Sequence, residues 1–260
     1  MPTPQKNYIY KFVNSLGEEL SPSEAVFAII TEDDKNQGSF KFSGTGFFIN
    51  AVGGFVTAKH VCFDRQNKPI FPFYVAYVLP DNTVVLRHVK RFYVNPDSDV
   101  AVGMLVPFKD AQGKLIENAV LTLSKSPIEV GDEIKTVAYP KSKIITEDEK
   151  TQVGEFVADW YRGKVEEHFP DGRDSLFYPR ECFRTSVEIL GGASGGPVIN
   201  SEGFVVGINS SGLDDLDDGF NDHVSFITPI TEIFDIDISS DKGEKTTIRD
   251  LIQHGSIKIR

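Results

Sequence analysis

Apolar residues in this chain gather in short β-branched and aromatic runs broken by glycine, proline and acidic residues. Runs of that length bounded by turn residues read as strands. Ala25 to Thr31, Phe40 to Asn50 and Gly54 to His60 read as strands, with a hairpin loop at Thr31 to Gly38 and a turn at Ala51-Val52-Gly53. Ile70 to Leu79 and Thr83 to Phe92 are β-branched and aromatic runs joined by Pro80-Asp81-Asn82, and Val100 to Val106 is an apolar strand. A second set follows: Ile134 to Tyr139, Phe156 to Val165, Leu176 to Leu190, Phe204 to Ser210 and His223 to Ile230. Lys141 to Gln152 is charged and reads as an exposed loop. Asp241 to His254 carries the one clear helical pattern, with Ile248, Leu251 and Ile252 on one face. Ser21-Pro22-Ser23-Glu24 fits a helix start, and equally a plain turn into the first strand. The expected organisation is an N-terminal extension over 1–24, a β unit over 25–125, a second over 126–238, and a helix with a tail over 239–260.

Composition narrows the function classes. The chain has 260 residues and a formal net charge of −11. That length can bury a core in one all-β unit or in two smaller ones. Such acidity argues against nucleic acid, which selects a basic face, and against an anionic membrane surface. Met1 to Tyr8 holds no apolar core of signal-peptide length. No run of about twenty apolar residues is present to span a membrane. The two cysteines, Cys62 and Cys182, do not make a disulfide framework. A reducing compartment fits these features, so a cytoplasmic protein is expected. No zinc spacing and no phosphate-binding glycine loop is present, so no metal and no cofactor is expected.

Chemistry concentrates at Gly191-Gly192-Ala193-Ser194-Gly195-Gly196-Pro197, between the β-type runs Phe183 to Leu190 and Val198 to Asn200. Four glycines and a proline around one serine make a tight turn with a hydroxyl at its tip. Glycine permits positive φ and a close backbone approach. In such a turn the amides of Gly192 and Ser194 can point at one spot, which supplies a nucleophile and an oxyanion hole for acyl transfer. The plainer alternative is a glycine-rich hairpin with an incidental serine.

Two upstream stretches shift the balance. Phe55 to Val61 places His60 at the end of an apolar run, and Asn95 to Val102 places Asp97 and Asp99 at the start of another. His60 suits the general base and Ser194 the nucleophile. Asp99 suits the residue that orients the imidazole, because it abuts Val100-Ala101-Val102, which can bury a carboxylate beside His60. Asp97, two positions earlier, is the rival. Neither cysteine lies in a glycine turn. His88, His168, His223 and His254 lack such company and read as surface or structural residues.

The order His, Asp, Ser and these flanks resemble the trypsin-like (chymotrypsin-fold) serine proteases, nearest to the bacterial HtrA/DegP-type branch, over about residues 25 to 257. Ser43 to Ile49 resembles the family's glycine-bearing strand before the histidine strand, and Phe204 to Asn209 the strand lining the cleft. Asp250 to Ile257 resembles the closing helix and exit. The resemblance implies an all-β fold: two six-stranded antiparallel β-barrels with the active site between them, plus a C-terminal helix. It implies a serine endopeptidase acting on protein or peptide substrates through an acyl-enzyme. A PDZ-type module is not expected, since the chain stops where that branch would begin one. Ala193 departs from the digestive branch, where an aspartate pairs with a new N-terminus, so activation by clipping is not expected. Loops 141–152 and 211–222 suggest instead regulation by a partner or ligand. A catalytically silent peptide-binding module and an esterase are the rival readings.

By position, the resemblance assigns the substrate pocket to Glu188, Ile189, Leu190, Gly191 and the stretch Ile208, Asn209, Ser210 and Ser211. Glu188 facing inward would select Arg or Lys before the cut. Glu188 facing outward would leave an apolar pocket shaped by Ile189 and Leu190. The acidic stretch 214–222 fails the EF-hand spacing at Leu216 and reads as a solvated loop, a steering field for basic substrates or a calcium site.

Overall fold

Twelve strands close into two antiparallel barrels of six each, in a computed structural model. It describes residues 12–13, 19–20, 22–33, 36–64, 66–78, 84–109, 112–146, 152–155, 157–175, 178–213, 224–240 and 243–260. The first barrel is built from β1 (Val26–Asp33), β2 (Asn36–Phe48), β3 (Gly54–Thr57), β4 (Phe73–Val78), β5 (Val84–Val94) and β6 (Ala101–Leu105). The second is built from β7 (Glu133–Ala138), β8 (Asp159–Phe169), β9 (Cys182–Thr185), β10 (Pro197–Ile199), β11 (Val205–Leu213) and β12 (Val224–Pro229). Hydrogen bonding runs β1-β2-β3-β6-β5-β4 around the first and β7-β8-β9-β12-β11-β10 around the second. The two barrels therefore share one wiring, although no repeat is visible in the residues. The expected two-barrel fold holds.

Large rings fill the first barrel. Phe27, Phe47, Phe48, Phe55 and Phe73 are fully buried, and Phe27 meets Phe48 at 4.6 Å and Phe55 edge-on at 5.3 Å. Burial of each such side chain contributes about 1.5–3 kcal/mol. The second barrel is filled by smaller groups, among them Ile134, Val165, Val187, Ile189 and Val198. The first core does not stop at its own strands. It continues through Leu121, Leu123, Tyr139, Val205 and Ile208 to Ile230 and Ile233, so the joint between the barrels is apolar. Across that joint Leu123 bridges in parallel to both Val205 and Ile259.

Several elements differ from the sequence expectation. The strand expected over Gly54 to His60 ends at Thr57, and His60 lies on a one-turn helix, α2 (Lys59–Cys62). Val61 and Cys62 are buried there, so helical spacing rather than strand alternation turns His60 outward. A short helix, α1 (Pro22–Ala25), precedes β1 and selects the helical reading of that segment. The expected exposed loop over Lys141 to Gln152 contains half a hairpin, Lys143–Thr146 paired with Gln152–Glu155. Its Ile144 and Ile145 give the run β character. The strand expected over Leu176 to Leu190 is confined to Cys182–Thr185.

The terminal helix is α3 (Ile248–Gln253), shorter than the pattern from Asp241 suggests. Lys245–Thr247 instead pairs with Asp237–Ser239 around Gly243, and Thr247 caps α3 through a reciprocal bond pair with Asp250. Cys62 and Cys182 are free and buried, one in each barrel region. No described helix is long and apolar enough to cross a membrane. The acidic stretch 214–222 and His223 lie outside the described residues.

Candidate active site

The first barrel supplies a histidine and an aspartate from neighbouring connections. Buried Val61 and Cys62 anchor α2, and the Lys59 ammonium donates to the Pro96 carbonyl at 2.8 Å, tying α2 to the loop before β6. Asp99 ends that loop. Its carboxylate lies 2.9 and 3.0 Å from His60 Nδ1 and accepts from the His60 backbone N–H at 3.0 Å. The His60 side chain is 47% exposed and that of Asp99 16%, so the ring is open to a ligand while the carboxylate is shielded. A carboxylate cannot donate, so Nδ1 carries the ring proton and Nε2 is left as acceptor. Burial works to lower the pKa of His60, but the charge and hydrogen bond of Asp99 outweigh it and the net shift is upward. Asp97 is exposed and does not reach the ring; its backbone N–H donates to Asn95 Oδ1 at 3.1 Å.

The second barrel supplies the serine turn. Ala193 N–H donates to Leu190 O at 2.9 Å and Gly192 has φ +89°, which together define a type II turn. Gly195 follows at φ +84°, its N–H donating to Asn209 O at 2.7 Å. Asn209 is fully buried and also holds the turn by its side chain, donating to Ala193 O at 3.2 Å and Thr136 Oγ1 at 2.8 Å. Among the described residues, the N–H groups of Ala193, Gly195 and Gly196 have protein acceptors, whereas those of Gly192 and Ser194 have none. Two donors beside one hydroxyl are thus left over.

The two halves meet at β2. Thr45 N–H donates to Ser194 O at 2.8 Å, and the Thr45 hydroxyl donates to Gly192 O at 2.8 Å. Gly195 sits against Ala58 N and the Thr57 hydroxyl, two and three residues upstream of His60. A Cβ at Gly195 would overlap both. The serine turn is therefore seated on the strand that leads into α2. Among the described residues, no hydrogen bond joins the Ser194 hydroxyl to His60, a contact that in unliganded sites is often long.

The two thiols are poor nucleophiles. Burial and then the Asp99 charge push the Cys62 thiol well above its usual range, and burial pushes Cys182 up to about 11. His168 stacks on Phe183 at 4.2 Å and bonds Glu181 at 2.8 Å, while His254 bonds the Asp250 carbonyl at 2.7 Å, as structural residues do. Among the described residues, no group of His, Cys, Asp and Glu is placed to hold a metal.

The residues expected to line the pocket divide. Ile189 and Ile208 face the two cores, and Ser210 is buried with its hydroxyl 2.5 Å from Thr228 Oγ1. With Asn209 clamping the turn, these side chains serve packing and the turn rather than an open cleft. Glu188 is exposed, Leu190 half-buried and Gly191 exposed. The inward, dry Glu188 expected for basic selectivity is not what the fold provides. Val187 and Ile189 take the barrel interior, and alternation turns Glu188 to solvent. Thr45 and Tyr139 are not marked in the sequence, because nothing local tells which residues of the two barrels meet at the turn.

A model of the trypsin-like peptidase domain matches residues 44–208. The chain belongs to the trypsin-like peptidase family. A curated relative, Protease Do-like 5, chloroplastic, of Arabidopsis thaliana, is 25% identical over 202 residues, which are 77% of this chain and 57% of that protein. The chain thus spans little more than half the length of that relative. Among solved structures, Deg5 superimposes with a TM-score of 0.53 at 21% identity, covering 80% of this chain and 84% of that one. The active form of the Rv3671c protease from M. tuberculosis gives 0.56 at 17% identity, covering 81% and 78%. These likenesses place this peptidase domain in the double-barrel fold of the Deg and HtrA proteases.

Proposed function

We propose that this peptidase is a serine endopeptidase working through His60, Asp99 and Ser194. The observation that carries the reading is the Asp99–His60 pair facing a serine turn seated on the strand that precedes the histidine. His60 Nε2 takes the Ser194 hydroxyl proton as Oγ attacks the carbonyl carbon of a peptide bond. The negative charge that develops on the carbonyl oxygen is held by the N–H groups of Gly192 and Ser194. Asp99 keeps the Nδ1–H tautomer and stabilises the imidazolium. The imidazolium then protonates the leaving amine as the C–N bond breaks, giving an acyl-enzyme. Water, deprotonated by His60, releases the acid and restores the serine.

The test is a fluorophosphonate probe on the purified protein, with hydrolysis of a casein-type substrate alongside. Labelling at Ser194, and turnover that falls by several orders of magnitude in Ser194→Ala, are expected. Wild-type turnover surviving in Ser194→Ala would end the reading.

A further inference from the structure

The oxyanion turn holds no polar side chain of its own before the serine, since Gly191, Gly192 and Ala193 offer only backbone. Its geometry must be imposed from outside. The plane that matters is the Gly192–Ala193 peptide. Its N–H is fixed by Leu190 O, and its carbonyl, Gly192 O, accepts from the Thr45 hydroxyl at 2.8 Å. That hydroxyl has one proton, which goes to Gly192 O. One of its lone pairs accepts the Tyr139 backbone N–H at 3.3 Å. Both of its directions are therefore taken and the rotor is fixed. Thr45 is fully buried, and its backbone holds Ser194 O as well.

Thr45 lies on β2 of the first barrel, and every other group in this arrangement belongs to the second. Tyr139 reaches back, its hydroxyl donating to Val26 O on β1 at 2.9 Å. We infer that Thr45 is the positioning residue of the oxyanion turn, and that its hydroxyl couples the shape of that turn to the docking of the barrels. Asn209 holds the same turn from within its own barrel, so it stabilises the turn without reporting on docking. A central peptide of a four-residue turn has two orientations, type I and type II, and only the second carries the positive φ seen at Gly192. Pinning the adjoining carbonyl from the first barrel favours that orientation and aims the Gly192 N–H.

The kinetic consequence rests on the serine endopeptidase reading; the structural coupling does not. Thr45→Val keeps the shape and removes the hydroxyl, whereas Thr45→Ser keeps the hydroxyl. In Thr45→Val, kcat is expected to fall about 10- to 100-fold with KM changed by less than about twofold, since the loss falls on the transition state. Thr45→Ser should stay within about threefold of wild type. Amide hydrogen exchange at Ala193, whose acceptor Leu190 O is untouched by the substitution, should quicken in Thr45→Val and not in Thr45→Ser. If Thr45→Val does not fold, Thr45→Ala replaces it with the same expectations. Unchanged Ala193 exchange in the hydroxyl-free variant, or an equal change in Thr45→Ser, overturns the coupling. A wild type that neither labels nor hydrolyses, yet shows the expected exchange pattern, overturns the endopeptidase reading and leaves the coupling standing.

Discussion

Asp99 receives two hydrogen bonds from one residue, from the His60 ring Nδ1 at 2.9 Å and from the His60 backbone N–H at 3.0 Å. The imidazole is thereby tethered at its base and at its ring; in an amide the remaining oxygen can still accept the backbone N–H, while the NH2 can only donate to the ring nitrogen. Asp99→Asn is expected to cost about 10⁴ in kcat by favouring the wrong tautomer, with substrate binding nearly intact. Asp97→Asn, at an exposed position that does not reach the ring, should cost less than about twofold in steady-state kinetics. The reverse ranking would assign the role to Asp97.

The same pair sets a pH dependence. The base must be neutral, and Asp99 holds the pKa of His60 above its ordinary value despite burial. The acidic limb of kcat/KM should therefore lie above about 6.5, the unperturbed histidine value. It should move down in the residual activity of Asp99→Asn. The sign for stability is opposite to that for activity. A histidine whose pKa is raised on folding contributes stability that is fully present below the unfolded value and is lost as pH rises through the folded value. Melting temperatures of wild type and Asp99→Asn should thus differ more on the acidic side of the histidine range than on the alkaline side.

Gly195→Ala should separate the halves of the site. The residue has φ +84°, and a Cβ there would collide with the Thr57 hydroxyl and Thr45 carbonyl and approach Ala58 N at 2.7 Å. Relief requires the serine turn to lift from β2 and β3. The expected outcome is loss of fluorophosphonate labelling together with a lowered melting temperature. Labelling at the wild-type rate would show that the turn need not be seated there.

Glu188 is solvated, and its charge is felt by Tyr161. Burial, then Asp159, then Glu188 push the tyrosine hydroxyl up to about 12. Glu188→Gln should lower that value, read by ultraviolet titration, while leaving the residue preferred before the cut unchanged in a peptide library. Small or medium apolar side chains are expected there in both forms. Cleavage after Arg or Lys that collapses in Glu188→Gln would restore the acidic pocket.

Strand content, the two barrels and the three residues that the proposed mechanism uses all carry local marks along the chain. Apolar runs mark Phe55-Val56-Thr57 and Val100-Ala101-Val102, and the glycines around Ser194 mark its turn. The position of His60 on a helical turn was not legible, since the apolar run continues unbroken through Val61 and Cys62. Nor was the division of the pocket stretch. Whether Ile189 or Glu188 faces the barrel depends on the register of a segment whose strand ends at Thr185. Thr45 and Tyr139 act across the joint, and Asn209 acts between strands of one barrel; these contacts are decided by tertiary packing, and no local pattern encodes them.

On the proposed mechanism, the apolar joint between the barrels decides when a molecule can act on a peptide bond. The first barrel alone presents an imidazole and a carboxylate; the second alone presents a serine in a glycine turn. Neither fragment holds the machinery for cutting a peptide bond. On that mechanism, a chain that has folded only one barrel, or is coming apart at the joint, lacks half of the groups that cleavage needs. On the proposed mechanism, the groups needed for cleavage come together only in molecules whose two barrels are both folded and docked.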